Sequence, residues 1–319
     1  MLRAFVSSRH RFQLRRLRTC EPNSLRSRLR LVSYESARYR LGLGGGAYVF
    51  TNLEALDTRM TERACQIASA IRDTDPDAII LNDPRYVMRR YELLRDLYRA
   101  GVNSFSCCRV DEGVMPEQYP VFLRGESDHR GAAPKLLRNE SELRVALAQP
   151  ESLNVDRSRR LIVGFVDTRE AGDPVYRKYA AMRVGDEIIA GHINFNEHWM
   201  VKLKRDLTPA EAAIQQEYID TNPHRDEIMA VFERARIQYG RVDYGVGENG
   251  IEVWEINSNP TYSSQSNEAK RVHWAQFAPV MQKVAQALAR IADQGAGRPG
   301  VPSRALRPIR PRWWRNLAR

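Results

Sequence analysis

The sequence predicts an α/β protein built as two units: a small, largely parallel sheet first, then a mixed unit that closes on a long hairpin. Three observations carry this. Strand-like and helix-like segments alternate through residues 30–108, the pattern of parallel strands joined by crossover helices. The 319 residues leave room for two packed units at roughly 100–200 residues each. The stretch 241–257 alternates polar and apolar residues on both sides of a turn. Hydrophobic residues make up 43% of the chain, enough for an ordinary core. No run approaches the ~18 apolar residues needed to span a bilayer, which excludes an integral membrane helix protein. Cys20, Cys65, Cys107 and Cys108 are too scattered for a disulfide framework or a paired zinc spacing. A reducing compartment, the cytoplasm, is expected.

Residues 1–28 read as a basic arm, rich in Arg with Glu21 its one acid. Residues 1–19 lack acids altogether, as an organelle transit peptide would; a solvated arm is the simpler reading. Domain 29–110 follows. Strands are expected at 29–34 and 47–51. The glycines between them, Gly42, Gly44, Gly45 and Gly46, match a dinucleotide fingerprint in letters only. That motif needs a strand before it and a helix after, and here a strand-like Tyr48-Val49-Phe50 follows, so a turn is expected. Ala64, Ile67, Ala68 and Ile71 recur at helical spacing and place a helix over 59–72. A strand at 77–81 comes next. Asp83-Pro84 reads as a helix start whose helix runs through Tyr91 and Leu94 to a left-handed terminal Gly101. Residues 102–106 would be the next strand.

Domain 111–292 opens with a strand at 119–124, a polar loop at 126–134 and a helix at 141–148. Strands are expected at 160–167, 176–184 and 187–194. Thr208-Pro209-Ala210-Glu211 is a capping box with Pro at the first helical position. A second helix opens at Asn222-Pro223, and a closing helix spans 274–291. Residues 293–319 read as a basic Pro/Arg tail.

The hairpin carries the chemistry. A three-residue loop commonly ends on a left-handed Gly. Taking Glu248-Asn249-Gly250 as that loop pairs Gly247 with Ile251, Asp243 with Glu255 and Arg241 with Asn257. Alternate residues of a strand share a face, so these four polar side chains emerge together. A turn one residue shorter, at Asn249-Gly250, would put Asp243 and Glu255 on opposite faces. Two carboxylates and an amide oxygen, Asp243, Glu255 and Asn257, form a donor set for a hard divalent cation such as Mg²⁺ or Mn²⁺. Arg241 beside them suits a phosphate or a developing negative charge. The alternative is a solvated face with cross-strand Arg–acid pairs.

This hairpin resembles the metal-binding hairpin of the ATP-grasp superfamily, and other segments fall in that family's order. Residues 119–124, ending in Arg124, are similar to the strand that ends in a nucleotide-binding Lys. The polar loop holding His129 stands where a phosphate lid is expected, and 161–167 resembles the hinge that contacts adenine. The resemblance covers about residues 45–290. It implies an ATP-grasp fold preceded by a small parallel α/β domain, ATP and Mg²⁺ as cofactors, and a cofactor set of Arg124, His129, Phe165, Val166, Asp167, Lys178 and Arg183. Arg241 and Lys202 take the catalytic roles. Arg replaces Lys at 124, the lid is poor in glycine, and Gly164 stands where a hinge Glu is common, which leaves Asp167 or Glu170 to meet the ribose.

The implied activity is that of a ligase: a substrate carboxylate becomes an acyl phosphate and an amine or similar nucleophile displaces the phosphate. The alternatives are phosphoryl transfer to a hydroxyl, as in a kinase, or nucleic-acid binding through the basic ends, given the formal charge of +11. Expected partners are ATP, a small carboxylate and its nucleophile, with a homo-oligomer open. His192, Glu197 and His198 do not have a metal-ligand spacing.

Overall fold

The computed structural model describes residues 1–20, 25–37, 42–127, 135–149, 156–201, 206–262 and 268–306. The chain divides into two compact units, Met1–Val87 with Asn259–Arg319, and Met88–Ser258.

The first unit is built on four parallel strands, β1 (Leu2–Val6), β2 (Leu29–Ser33), β3 (Ala47–Phe50) and β4 (Ile80–Leu81), in the order β2-β1-β3-β4. The basic arm expected over 1–28 is thus corrected: its first residues are a central strand. Leu2, Ala4, Phe5 and Val6 are fully buried, and the Arg3 guanidinium donates to the Gly45 carbonyl of the glycine loop. Helix α1 (Phe12–Cys20) follows β1, and helix α2 (Thr58–Thr74) is capped by Asp57, whose side chain accepts from the Met60 N–H at 2.7 Å. Phe5 stacks on Phe50 at 4.7 Å within a core that includes Tyr48, Ile67 and Ile71.

The glycine loop is a turn leading into β3, with no helix after it. Gly46 sits at φ +142°, and a Cβ there would lie 2.1 Å from the Met1 carbonyl oxygen, so close backbone approach explains the glycine. The expected tail at 293–319 is also corrected. Val301–Pro302 pairs antiparallel with Gly42–Leu43, and Val301 and Leu306 are buried; residues 307–319 lie outside the described residues. The long helix Glu268–Gln294, expected in the second domain, belongs to the first unit and packs on α1, β1 and β3.

Asp83-Pro84 forms a turn instead of a helix start. The Asp83 carboxylate accepts from the Arg85 N–H at 3.1 Å and pairs with its guanidinium at 2.6 Å, a local bond that competes with helix. Helix α3 (Arg90–Arg99) begins later, in the second unit, and ends at Gly101 with φ +70° as expected.

In the second unit β5 (Cys107–Arg109), β6 (Val121–Gly125) and β7 (Arg160–Gly164) form an antiparallel sheet, order β5-β7-β6, packed against helix α4 (Glu140–Ala148). A second antiparallel sheet holds β8 (Tyr176–Val184), β9 (Glu187–Asn196), β10 (Tyr239–Gly247) and β11 (Gly250–Asn257), order β9-β8-β10-β11. Helix α5 (Pro209–Thr221), with the expected capping box at Thr208, and helix α6 (Arg225–Ala235) cover one face. Tyr179 of β8 packs on Tyr218 of α5 at 5.2 Å, and the Tyr244 and Tyr218 hydroxyls are 3.1 Å apart. Odd residues of β8 therefore face the helices and even ones face away. Among the described residues no helix is long and apolar enough to cross a membrane.

Candidate functional site

The hairpin reaches the expected register by a different route. Its turn is two residues, Glu248-Asn249, with Gly247 opposite Gly250 and Tyr244 opposite Val253. That alone would offset the site by one residue. A bulge at Trp254 restores it, so Asp243 pairs with Glu255 and Arg241 with Asn257. Bulges next to functional sites re-aim side chains, and this one turns Glu255 and Asn257 to the face of Asp243. Across the sheet, His192, Ala180, Asp243 and Glu255 stand in one row, on the face away from α5 and α6.

Each carboxylate is held by two cations. Asp243, 4% exposed, accepts from Arg241 Nε at 2.8 Å and Lys178 Nζ at 3.2 Å. Glu255 Oε2 takes Arg124 at 3.1 Å and Arg90 from the start of α3. Burial alone would raise the Asp243 carboxyl, but Arg241, then Lys178 and His192, hold it well below the usual range. Four cationic groups around two carboxylates leave a surplus of positive charge, suited to an anion with several charged oxygens. Among the described residues no three His, Cys, Asp or Glu side chains converge as a metal set. The oxygen donors here are two carboxylates and the Asn257 amide, fewer than the six that Mg²⁺ takes, as where water and phosphate oxygens complete the shell.

Other expected site residues are distributed differently. Phe165 and Val166 follow β7 and pack in a cluster with Phe122 and Trp199, Phe165 edge-on to Trp199 at 5.6 Å. Asp167 is exposed and forked by Arg169, with bonds of 3.0 and 2.6 Å; that guanidinium lowers its pKa. Glu170 is paired with Arg177. Arg183 is a correction: as an odd residue of β8 it lies on the helix side, buried, donating to Gly185 and facing the charge of Glu233. Parity removes it from the row of Lys178. His129 and Lys202 lie outside the described residues.

Arg90 is the residue that sequence reasoning missed. It donates to the Gly125 and Glu126 carbonyls at 3.2 and 2.6 Å besides pairing with Glu255. The available signal was a cation in the first turn of a helix, where the helix dipole disfavours positive charge; placing the helix start at Asp83 hid it. Behind the hairpin, the Asn103 side chain bonds both the N–H and carbonyl of Val253, at 2.9 and 2.8 Å. Buried Glu252 accepts from the Ser104 N–H at 3.0 Å. Together they tie the end of α3 to β11.

No family model matches the chain. A curated relative, the tetrahydromethanopterin:α-L-glutamate ligase of Methanococcus maripaludis, is 22% identical over 123 residues, or 39% of this chain. The match spans 40% of that relative's length. The D-alanine–D-alanine ligase of Bacillus anthracis, solved with ATP, superposes with a TM-score of 0.50 at 12% identity, covering 92% of this chain and 96% of that one. The ATP-grasp ligase PsnB, solved with Mg, ADP and a variant of its minimal precursor, gives 0.51 at 11% identity, covering 91% and 98%. The chain has the ATP-grasp fold.

Proposed function

We propose that this chain is an ATP- and Mg²⁺-dependent ligase. A substrate carboxylate attacks the γ-phosphorus of ATP, releasing ADP and forming an acyl phosphate. An amine or similar nucleophile then displaces phosphate from the acyl carbon. The observation that carries this reading is the pair Asp243 and Glu255, abreast on neighbouring strands and ringed by Lys178, Arg241, Arg90 and Arg124.

The residues fit the ion that the fold implies. Asp243 is held ionised by its cationic neighbours, and Asp243, Glu255 and Asn257 supply oxygen donors that Mg²⁺ or Mn²⁺ prefers. When bound, the ion offsets charge on the phosphate oxygens. Lys178, Arg241, Arg90 and Arg124 carry the positive charge that would meet the same oxygens and orient the transferring group. Phe165 and Val166 would offer hinge backbone to the adenine, and His129 and Lys202 keep the lid and catalytic roles implied by the resemblance. The D-alanine ligase with ATP and PsnB with Mg and ADP support the nucleotide and metal assignment. The α-L-glutamate ligase supports an amino-acid substrate.

Glu255→Gln keeps the side-chain shape and removes the charge. It should lower Mg-dependent ADP release by about a hundredfold or more with an unchanged circular dichroism spectrum. Undiminished turnover would exclude the site. Analysis of the products completes the test: a ligase yields ADP, free phosphate and one joined product, whereas a stable phosphoester would mark a kinase.

A further inference from the structure

The positive surplus of the chain has no part in the site around Asp243, and it is not spread evenly. The first unit holds 26 of the 50 Lys and Arg but only 11 of the 39 Asp and Glu. Helix α1 (Phe12–Cys20) concentrates that charge on one side. At about 100° per residue, Gln13, Leu14 and Leu17 share a face, and all three are buried. Gln13 donates to the Thr261 hydroxyl at 3.2 Å and accepts from the Tyr262 N–H at 3.0 Å. The helix is thus seated on the unit by that face, with Phe12, Arg15 and Arg16 on the opposite one.

The outward side sets one aromatic ring beside a ridge of guanidinium groups. Phe12 is 46% exposed, and Arg16, one turn along, lies over its ring at 5.4 Å while donating to the Tyr262 carbonyl at 3.0 Å. Arg11 directly precedes the helix at φ −64° and ψ −20°, already in helical phase. Arg11, Arg15 and Arg18 therefore recur at i, i+4 and i+7 and line one flank of the ring, spanning about 10 Å along the axis. No carboxylate among the described residues engages any of these three, and Arg11 Nε and Arg18 Nε have no hydrogen-bond partner there. Among the described residues up to 37 the one acid is Glu35, whose carboxylate is taken by the Ser8 N–H at 3.1 Å and hydroxyl at 3.0 Å.

Guanidinium groups in a row suit phosphates, and an exposed ring among them offers a platform for a base. The combination fits a single strand, whose bases are free to stack, better than a duplex, whose bases are already stacked on one another. An anionic membrane would need the apolar side of the helix, and Leu14 and Leu17 are in the core. An acidic peptide would answer the arginines and give Phe12 no role. We propose that the outward side of α1 binds single-stranded nucleic acid, with Phe12 stacking on a base and Arg11, Arg15 and Arg18 meeting phosphates. This binding function is additional to the ligase reading and does not rest on it.

The probe is a fluorescein-labelled oligothymidylate of twelve nucleotides, followed by anisotropy on the full chain. It should bind with a plot of log K against log salt of slope about −2, as for three phosphates on a single strand. Arg15→Gln should reduce the steepness by about 0.7. Phe12→Ala should weaken binding about tenfold at fixed salt and leave the slope alone, as for the loss of one stacked base, and Phe12→Trp should restore it. Both side chains face solvent, so the Tm of each variant should match the wild type. No binding at low salt overturns the proposal, as does binding that survives both Phe12→Ala and Arg15→Gln. Polyglutamate of matched charge or phosphatidylglycerol vesicles bound as tightly, and lost in the same variants, would overturn it in favour of a general anion surface.

Discussion

At the scale of single residues the centre of the argument is Asp243, a carboxylate almost wholly removed from water and kept charged by Arg241 and Lys178. Its folded pKa lies below the unfolded value near ~3.9. The unfolded chain therefore binds more protons in acid, and the stabilisation is fully present above about pH 4 and is lost as pH falls below it. Asp243→Asn should accordingly flatten the acid limb of a plot of Tm against pH. At neutral pH it should cost about 2–3 kcal/mol, less than a fully buried pair because Lys178 and Arg241 keep partial access to water. A variant whose acid limb matched the wild type would show that the ion pair contributes nothing to folding. Asp243 and Glu255 were legible in the sequence because strand periodicity is local. Arg90 was not: its partner Glu255 lies 165 positions away, and no spacing rule reaches that far.

At the scale of elements, the hairpin shows what periodicity leaves open. The expected three-residue loop and the observed two-residue turn plus bulge at Trp254 give the same pairing at Asp243 and different pairings nearer the turn. Both contain one extra residue, and the alternation of polar and apolar side chains cannot say where it sits. The bulge is held by packing at Gly245. A Cβ there would stand 2.8 Å from Thr168 Cγ2 and 2.8 Å from Trp254 Cη2, so the strand, the bulge and the segment after β7 touch at a position with no room for a side chain. Gly245→Ala should destabilise the protein by about 1–3 kcal/mol through overpacking, seen as a lower urea midpoint. It should also weaken Mg-ATP binding if Phe165 and Val166, just ahead of Thr168, contact the nucleotide as proposed. A neutral Gly245→Ala would show that this junction has slack. Where side-chain chemistry specified a boundary locally, the reading was close, as at the Thr208 capping box and Gly101. At Asp83 the same residue types served a turn, because the carboxylate bonded Arg85 instead of capping a helix.

At the scale of the whole chain, composition misled at the ends, and the reason is averaging. The arginines between Arg9 and Arg28 dominate residues 1–28 and conceal a five-residue, mostly apolar strand at their start. That strand is bonded to β2 on one side and β3 on the other, so it belongs to the middle of the parallel sheet. Burial of Leu2, Phe5 and Val6 is worth roughly 1.5–3 kcal/mol each. Their sum approaches the 5–15 kcal/mol by which a typical domain is stable. Deleting residues 1–7 would also leave the facing backbone groups of β2 and β3 without their ladder, in a buried layer where such groups are costly. The deletion should abolish the cooperative melting of the first unit and open 25–87 to limited proteolysis, whereas a solvated arm could be removed with no change in Tm. An unaltered melting curve after that deletion would return the amino terminus to the role its charge suggests.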